Sequence, residues 1–146
     1  MINTLAAQAR LTQFIGGNSI RSDSGLAQAL VQNTSQVLMI DEFGHFLAAL
    51  NNPRSPSYLQ GISSLLMTLY SSSGGAYNHG SYADSRNKPI SIIDPNLCIY
   101  GTTTETKYAQ AMRKDAIDSG DLNRFIVVRS PNIFMSHASS FLLARI

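Results

Sequence analysis

Hydrophobic side chains recur along this chain in two spacings, and each predicts a different element. Helical spacing is clearest at Leu59, Ile62, Leu65, Leu66 and Leu69, which lay one apolar stripe along a helix running to about Tyr70. Turn signals at Asn51, Asn52 and Pro53 come before it. Ser55 with Pro56 then supplies a start, because a proline in the first turn forfeits an amide that has no helical partner anyway. A second helix is expected over residues 25–32, with Leu26, Ala29 and Leu30 inward and the hydroxyl of Ser22 or Ser24 accepting an orphan amide. A third is expected from Glu105 to about Arg113, with Tyr108, Ala111 and Met112 inward and a preceding threonine as its cap. Ile2, Leu5, Ala6 and Ala9 give a weaker amphipathic pattern over residues 1–9.

The other spacing is the short unbroken run. Val37-Leu38-Met39-Ile40 is followed at once by Asp41-Glu42, Leu97-Cys98-Ile99-Tyr100 by Gly101 and three threonines, and Phe125-Ile126-Val127-Val128 stands directly after Asn123-Arg124. Runs without alternation suit strands of a parallel sheet covered on both faces. An alternation from Leu11 to Ile15, stopped by Gly16-Gly17, predicts one more strand and a turn. Residues 71–88 change character to serine and glycine with the rings of Tyr77, His79 and Tyr82, then Arg86 and Lys88, which predicts a loop or hairpin. Residues 131–146 carry no assignable pattern. Strands interleaved with helices predict an α/β fold.

Composition narrows this reading. At 146 residues the chain is one domain's worth, and 44% hydrophobic with 14% charged residues excludes disorder and favours a buried sheet. A net charge of +2 is too mild to argue for nucleic acid through bulk electrostatics, so that case depends on local placement. Cys98 is the only cysteine, which excludes an intrachain disulfide and a cysteine metal cage and suggests a reducing, cytoplasmic compartment. No apolar run reaches the roughly 18 residues of a membrane span, and no secretory leader pattern opens the chain. No serine sits in Gly-x-Ser-x-Gly, so serine hydrolase chemistry has no support.

Three features carry chemistry. A buried strand ending in Asp41-Glu42 puts two carboxylates at the carboxyl edge of a parallel sheet, where such sheets form their ligand crevice. In a nucleoside triphosphatase the first acid holds magnesium and the second orients the attacking water; a plain strand followed by a solvated turn is the alternative. The run ending in Thr102-Thr103-Thr104 would deliver hydroxyls to the same edge, near a γ-phosphate, or would simply cap a helix. Arg124 could reach a phosphate held by a neighbouring subunit, or be a surface cation. Acid pair, polar strand end and arginine before a last strand come in the order found in oligomeric P-loop motors.

The segments Ser22-Asp-Ser-Gly-Leu-Ala-Gln-Ala-Leu, Val-Leu-Met-Ile-Asp-Glu-Phe-Gly, Ile-Tyr-Gly-Thr-Thr-Thr and Gly-Asp-Leu-Asn-Arg-Phe-Ile-Val-Val resemble ATPase domains of phages and integrated elements that accompany primase modules. The layout is also similar to the mini-chromosome-maintenance helicases, and the likeness spans residues 14–128. It implies a partial P-loop NTPase core of the AAA+ or RecA-like kind over residues 1–130, a three-layer sandwich with a mostly parallel sheet, followed by a tail over 131–146. It implies Asp41 for magnesium, Glu42 for water activation, Thr102 or Thr103 as sensor, and Arg124 as a finger acting in trans. ATP and Mg2+ are the implied cofactors, DNA and a homo-oligomeric ring the implied partners. Where such helicases insert a DNA-tracking hairpin, this chain has Tyr77, Tyr82, Arg86 and Lys88, rings and cations suited to bases and phosphates.

One part is missing. The sequence contains no Gly-x-x-x-x-Gly-Lys-Ser/Thr, so it has neither the amide cradle nor the lysine for a polyphosphate. In the motors this loop and its strand precede the equivalent of these residues, and the strand lies between those here at Leu97 and Phe125. The expectation is therefore a fragment with a gap in mid-sheet and weak or absent ATP hydrolysis alone. Two other readings stay open: a nucleotide-independent interaction module of the same fold, and a metal-dependent hydrolase built on Asp41, Glu42 and His45.

Overall fold

A computed structural model of the chain describes residues 11–79, 90–112 and 125–129, and the backbone of 139–145. The expected alternation at Leu11 to Ile15 is not a strand. Thr12–Phe14 is a 3-10 turn, and only Ile15 touches the sheet, through a single parallel bridge to Val37 with the Gly16 amide donating to the Val37 carbonyl at 2.9 Å. Helix α1 (Asp23–Gln32) starts where Ser22 Oγ accepts the Gly25 amide at 3.1 Å, so of the two serines Ser22 is the cap. Strand β1 (Ser35–Ile40) leads to helix α2 (Phe43–Leu50) and helix α3 (Ser57–Ser71). Pro56 is the N-cap of α3 rather than its first helical residue.

Next come strands β2 (Ala76–His79) and β3 (Ile90–Ile93), an antiparallel pair in which Tyr77 stands opposite Ile92. The segment expected as loop or hairpin thus has a hairpin's paired base. Strand β4 (Asn96–Thr104) runs straight into helix α4 (Glu105–Ala111), where Thr104 Oγ1 accepts the Lys107 amide at 3.4 Å. Strand β5 (Phe125–Arg129) and strand β6 (Ser139–Arg145) complete the described elements.

One four-stranded sheet has the order β1-β4-β6-β5, and β2-β3 form a separate ribbon. β1 and β4 are parallel; β6 is antiparallel to both β4 and β5. Since β6 runs opposite to both its neighbours, β1, β4 and β5 all point the same way. The α/β class expected from the sequence is present, but the sheet is not the mostly parallel one expected: of the three ladders in the four-stranded sheet, β1–β4 alone is parallel and the two made by β6 are antiparallel.

Two expectations are corrected here. The gap anticipated between the strands at Leu97 and Phe125 does not exist, because β6, drawn from the unassigned tail, fills it. Inner strands left unpaired would bury amides and carbonyls without partners, and the antiparallel ladders on either side of β6 remove that cost. Nor do β1 and β4 have two equally buried faces. In β1, Gln36, Leu38 and Ile40 are buried while Ser35, Val37 and Met39 are half-buried; β4 alternates likewise, with Leu97, Ile99, Gly101 and Thr103 on the buried side. Among the described residues the helices give this sheet one fully buried face, short of the expected three layers.

That face carries the core: Leu26, Ala27 and Leu30 of α1, Phe43 and Leu47 of α2, the Leu59-to-Leu69 stripe of α3, and Ile92 beneath the ribbon. Fully burying each large aliphatic or aromatic side chain is worth about 1.5–3 kcal/mol. α2 lies so close to β4 that a Cβ on Gly101 would come within 2.6–2.8 Å of Phe43 side-chain atoms, and one on Gly44 would collide with Thr103 Oγ1. Glycine at 44 and 101 is what lets α2 sit directly on β4, and so ties the turn at Asp41-Glu42 to the end of β4.

Candidate functional site

The parallel register sets the site. Ile40 pairs with Gly101, so one residue further on Asp41 stands beside Thr102, on the half-buried side of the sheet. Thr102 Oγ1 donates to Asp41 Oδ1 at 2.5 Å, and the Glu42 amide donates to the same oxygen at 2.9 Å. The two strands therefore end at one rim with their polar groups in contact, the adjacency that the spacing of the two runs implies. Both donors favour the ionised form, so the Asp41 carboxyl is held below its usual range, first by the Thr102 hydroxyl and then by the Glu42 amide.

This fixes the sign of a pH effect. A carboxyl with a lowered folded-state pKa adds stability at neutral pH, and that contribution is lost as the pH falls below the ordinary aspartate range and through the lowered value. Thr102→Val is expected to raise the Asp41 pKa toward normal without unfolding the chain, which a carbon-13 carboxyl titration reads directly. An unmoved Asp41 titration would contradict the bond's role.

Glu42 is exposed and comes after Asp41 in a left-handed conformation, φ 51° and ψ 35°, as the N-cap of α2 with no side-chain cap bond. The other two threonines do different work. Thr103 is only 7% exposed and turns to the buried face, where its hydroxyl donates to the Thr104 carbonyl at 3.4 Å, and Thr104 caps α4. Of the two sensor candidates, Thr102 is the one beside Asp41.

The chemistry available at this rim is that of hard oxygen donors. Asp41 Oδ2 accepts no hydrogen bond among the described residues, and an exposed ionised carboxylate of this kind suits a magnesium ion that keeps most of its water. His45 is exposed in the first turn of α2, but no group of three His, Cys, Asp or Glu among the described residues is arranged to hold a metal ion. The three-ligand arrangement that a hydrolase centre on Asp41, Glu42 and His45 requires is thus not formed by these residues.

Other sequence candidates fall elsewhere. Tyr77 is 8% exposed and belongs to the core, so its ring is packed under the ribbon rather than offered to a base. Tyr82, Arg86, Lys88 and Arg124 lie outside the described residues. Two rim residues escaped the sequence reading: Arg129 ends β5 and its guanidinium bonds Glu105 Oε2 at 2.8 Å, at the start of α4. The signal was there, a cation closing an apolar run just as Asp41 closes the first. Compared with known proteins, the chain matches no family model, no curated protein and no solved structure. No described helix is long and apolar enough to cross a membrane.

Proposed function

We propose that this chain is the acid-and-sensor portion of an ATP-dependent P-loop motor of DNA replication, of the helicase or helicase-loader kind, whose phosphate-binding loop comes from another segment. What supports this is the contact between Asp41 and Thr102 on adjacent parallel strands, with Glu42 next along the same rim. Asp41 would hold magnesium, Glu42 would orient and polarise the attacking water, and Thr102 would couple the metal site to the γ-phosphate. Magnesium supplies charge neutralisation for the phosphates. Thr102 would orient the Asp41 carboxylate through their hydrogen bond, and Arg124 is retained as the trans-acting finger.

Calorimetry with Mg-ATP tests the proposal, on this chain alone and on the chain joined to an upstream segment bearing a Gly-Lys-Ser/Thr box. Hydrolysis is expected to be weak or absent in the first case and Glu42-dependent in the second. Robust Glu42-dependent turnover by the isolated chain would overturn the assignment of the missing loop, and no nucleotide binding by the joined protein would overturn the motor itself.

The ribbon adds a DNA contact. In sequence, Arg86 and Lys88 fall between β2 and β3. Changing both to Ala is expected to weaken single-stranded DNA binding and flatten its salt dependence, because each phosphate contact releases counterions. Fluorescence anisotropy at two salt concentrations checks this; unchanged affinity with the fold intact retires the contact.

A second reading has its own observation. β6 already occupies the inner position of the sheet, which suits a nucleotide-independent interaction module that needs no further strand. The same calorimetry separates the two.

A further inference from the structure

The described helices pack on one side of the four-stranded sheet. Gln36 of β1 donates through Nε2 to the Ala29 carbonyl of α1 at 2.6 Å, Phe43 of α2 lies on Gly101 of β4, Gly44 lies against Thr103 and Lys107 of α4, and α3 joins the same core. The register fixes what stands on the other side: Val37 and Met39 of β1, Cys98 and Tyr100 of β4, and Ile126 and Val128 of β5. Those of β1 and β4 are half-buried, and the two of β5 are 61% and 52% exposed. A sheet with apolar residues at both parities of its strands is one that is covered on both faces, and an apolar patch left open is a docking surface.

Topology narrows what can cover it. From Ile15 at the outer edge of β1 to β1 itself, from β1 to β4 and from β4 to β5, the chain steps across the sheet in one direction, leaving each time through helices of the packed side. Right-handed crossovers that step the same way share one face, so none of these connections reaches the other. Residues 1–10 precede the first step and carry no such constraint. The parallel bridge from Ile15 to Val37, and the Asn33 side-chain amide donating to the Gln13 carbonyl at 2.6 Å, hold the chain that follows them at the corner where β1 begins. Run back from that corner along β1, a helix of this length covers about 15 Å and is about 10–12 Å across, room enough for two strands about 4.8 Å apart. Ile2, Leu5, Ala6 and Ala9 supply an apolar stripe at helical spacing, and Arg10 is the one charged side chain in the segment, so docking the stripe buries no charge.

We propose that residues 1–10 dock as an amphipathic helix on the open face over β1 and β4, with Leu5 and Ala6 against Val37 and Cys98 and Ile2 nearer Met39 and Tyr100. This holds whether or not the chain belongs to a motor. Met39 and Tyr100 come two residues before Asp41 and Thr102, about 7 Å along their strands, so the docked segment borders the candidate site.

The test uses the full chain. Cys98 is its only cysteine, so the rate of reaction with a thiol reagent reads access to this face. Leu5→Asp is expected to speed that reaction at least about tenfold, because a charge replaces an apolar side chain that holds the cover down. Thr4→Asp, on the opposite side of the stripe, is expected to leave the rate within about twofold of wild type. A carbon-edited NOE spectrum of wild type, which needs no variant to fold, is expected to join the Leu5 methyls to those of Val37. Equal thiol rates in wild type and Leu5→Asp, or no Leu5–Val37 contact, overturn the docking. So does a contact that appears only between differently labelled copies in a mixed sample, which would make a second chain the cover.

Discussion

Phe43→Ala is expected to destabilise the chain by about 3–5 kcal/mol, the range for a truncated aromatic in a packed core. Phe43 is 1% exposed, with ring centroids 5.7 Å from Phe46 and 5.9 Å from Phe125, and it lies against the bare Cα of Gly101. Few residues here join so many parts, since this ring connects α2 to Gly101 of β4 and to the start of β5. A domain of this size has about 5–15 kcal/mol in total, so urea unfolding should find the variant near the limit of folding. The converse change overfills the same contact: Gly101→Val is expected to cost about 1–3 kcal/mol or more, because Phe43 is displaced by the new side chain. Combining the two puts volume back where it was removed, so the double variant should be more stable than the sum of the single effects implies. Strict additivity would show that Phe43 and Gly101 do not share a packing site.

How much of this was legible in the sequence depended on how local the determinant is. The stripe from Leu59 to Leu69, the Ser22 cap and the threonine start of α4 were readable because each is decided within one or two turns of helix. The Asp41–Thr102 contact was readable for a different reason: two apolar runs of equal length, each closed by polar residues, have little choice of register once paired in parallel. α2 was missed although Phe43, Phe46, Leu47 and Leu50 repeat at helical spacing, because Asp41-Glu42 carries the signature of a solvated turn and no capping serine, threonine or proline marks a helix start beside it. β6 could not have been read. Its seven residues mix serine, phenylalanine, leucine, alanine and arginine without alternation, and what makes them a strand is the open position between β4 and β5, a property of the assembled sheet. Arg129 was passed over for the same reason, since its partner Glu105 lies 24 residues away in sequence.

Glu42→Gly is expected to separate stability from activity. Glu42 sits at φ 51°, one of two positive-φ residues other than glycine among those described, a conformation that costs an L-residue roughly 1–2 kcal/mol. Glycine adopts it freely but loses about 0.5–1 kcal/mol through the larger entropy of its unfolded chain. The balance is a net gain of roughly 0.5–1 kcal/mol in the glycine variant, readable as a higher urea midpoint at unchanged slope. Glu42→Ala is the control, since it removes the carboxylate but keeps a Cβ in the strained conformation, and so should show no such gain. In the motor completed by a phosphate-binding loop, both variants should lose hydrolysis by roughly 10²–10⁴-fold, the usual contribution of a positioned general base. A backbone strain that glycine would relieve, retained under a glutamate with no side-chain cap bond, makes sense if the carboxylate is needed at that point of the rim. A Glu42→Gly chain no more stable than Glu42→Ala would show that the turn carries no strain, and turnover surviving in Glu42→Ala would remove Glu42 from the chemistry.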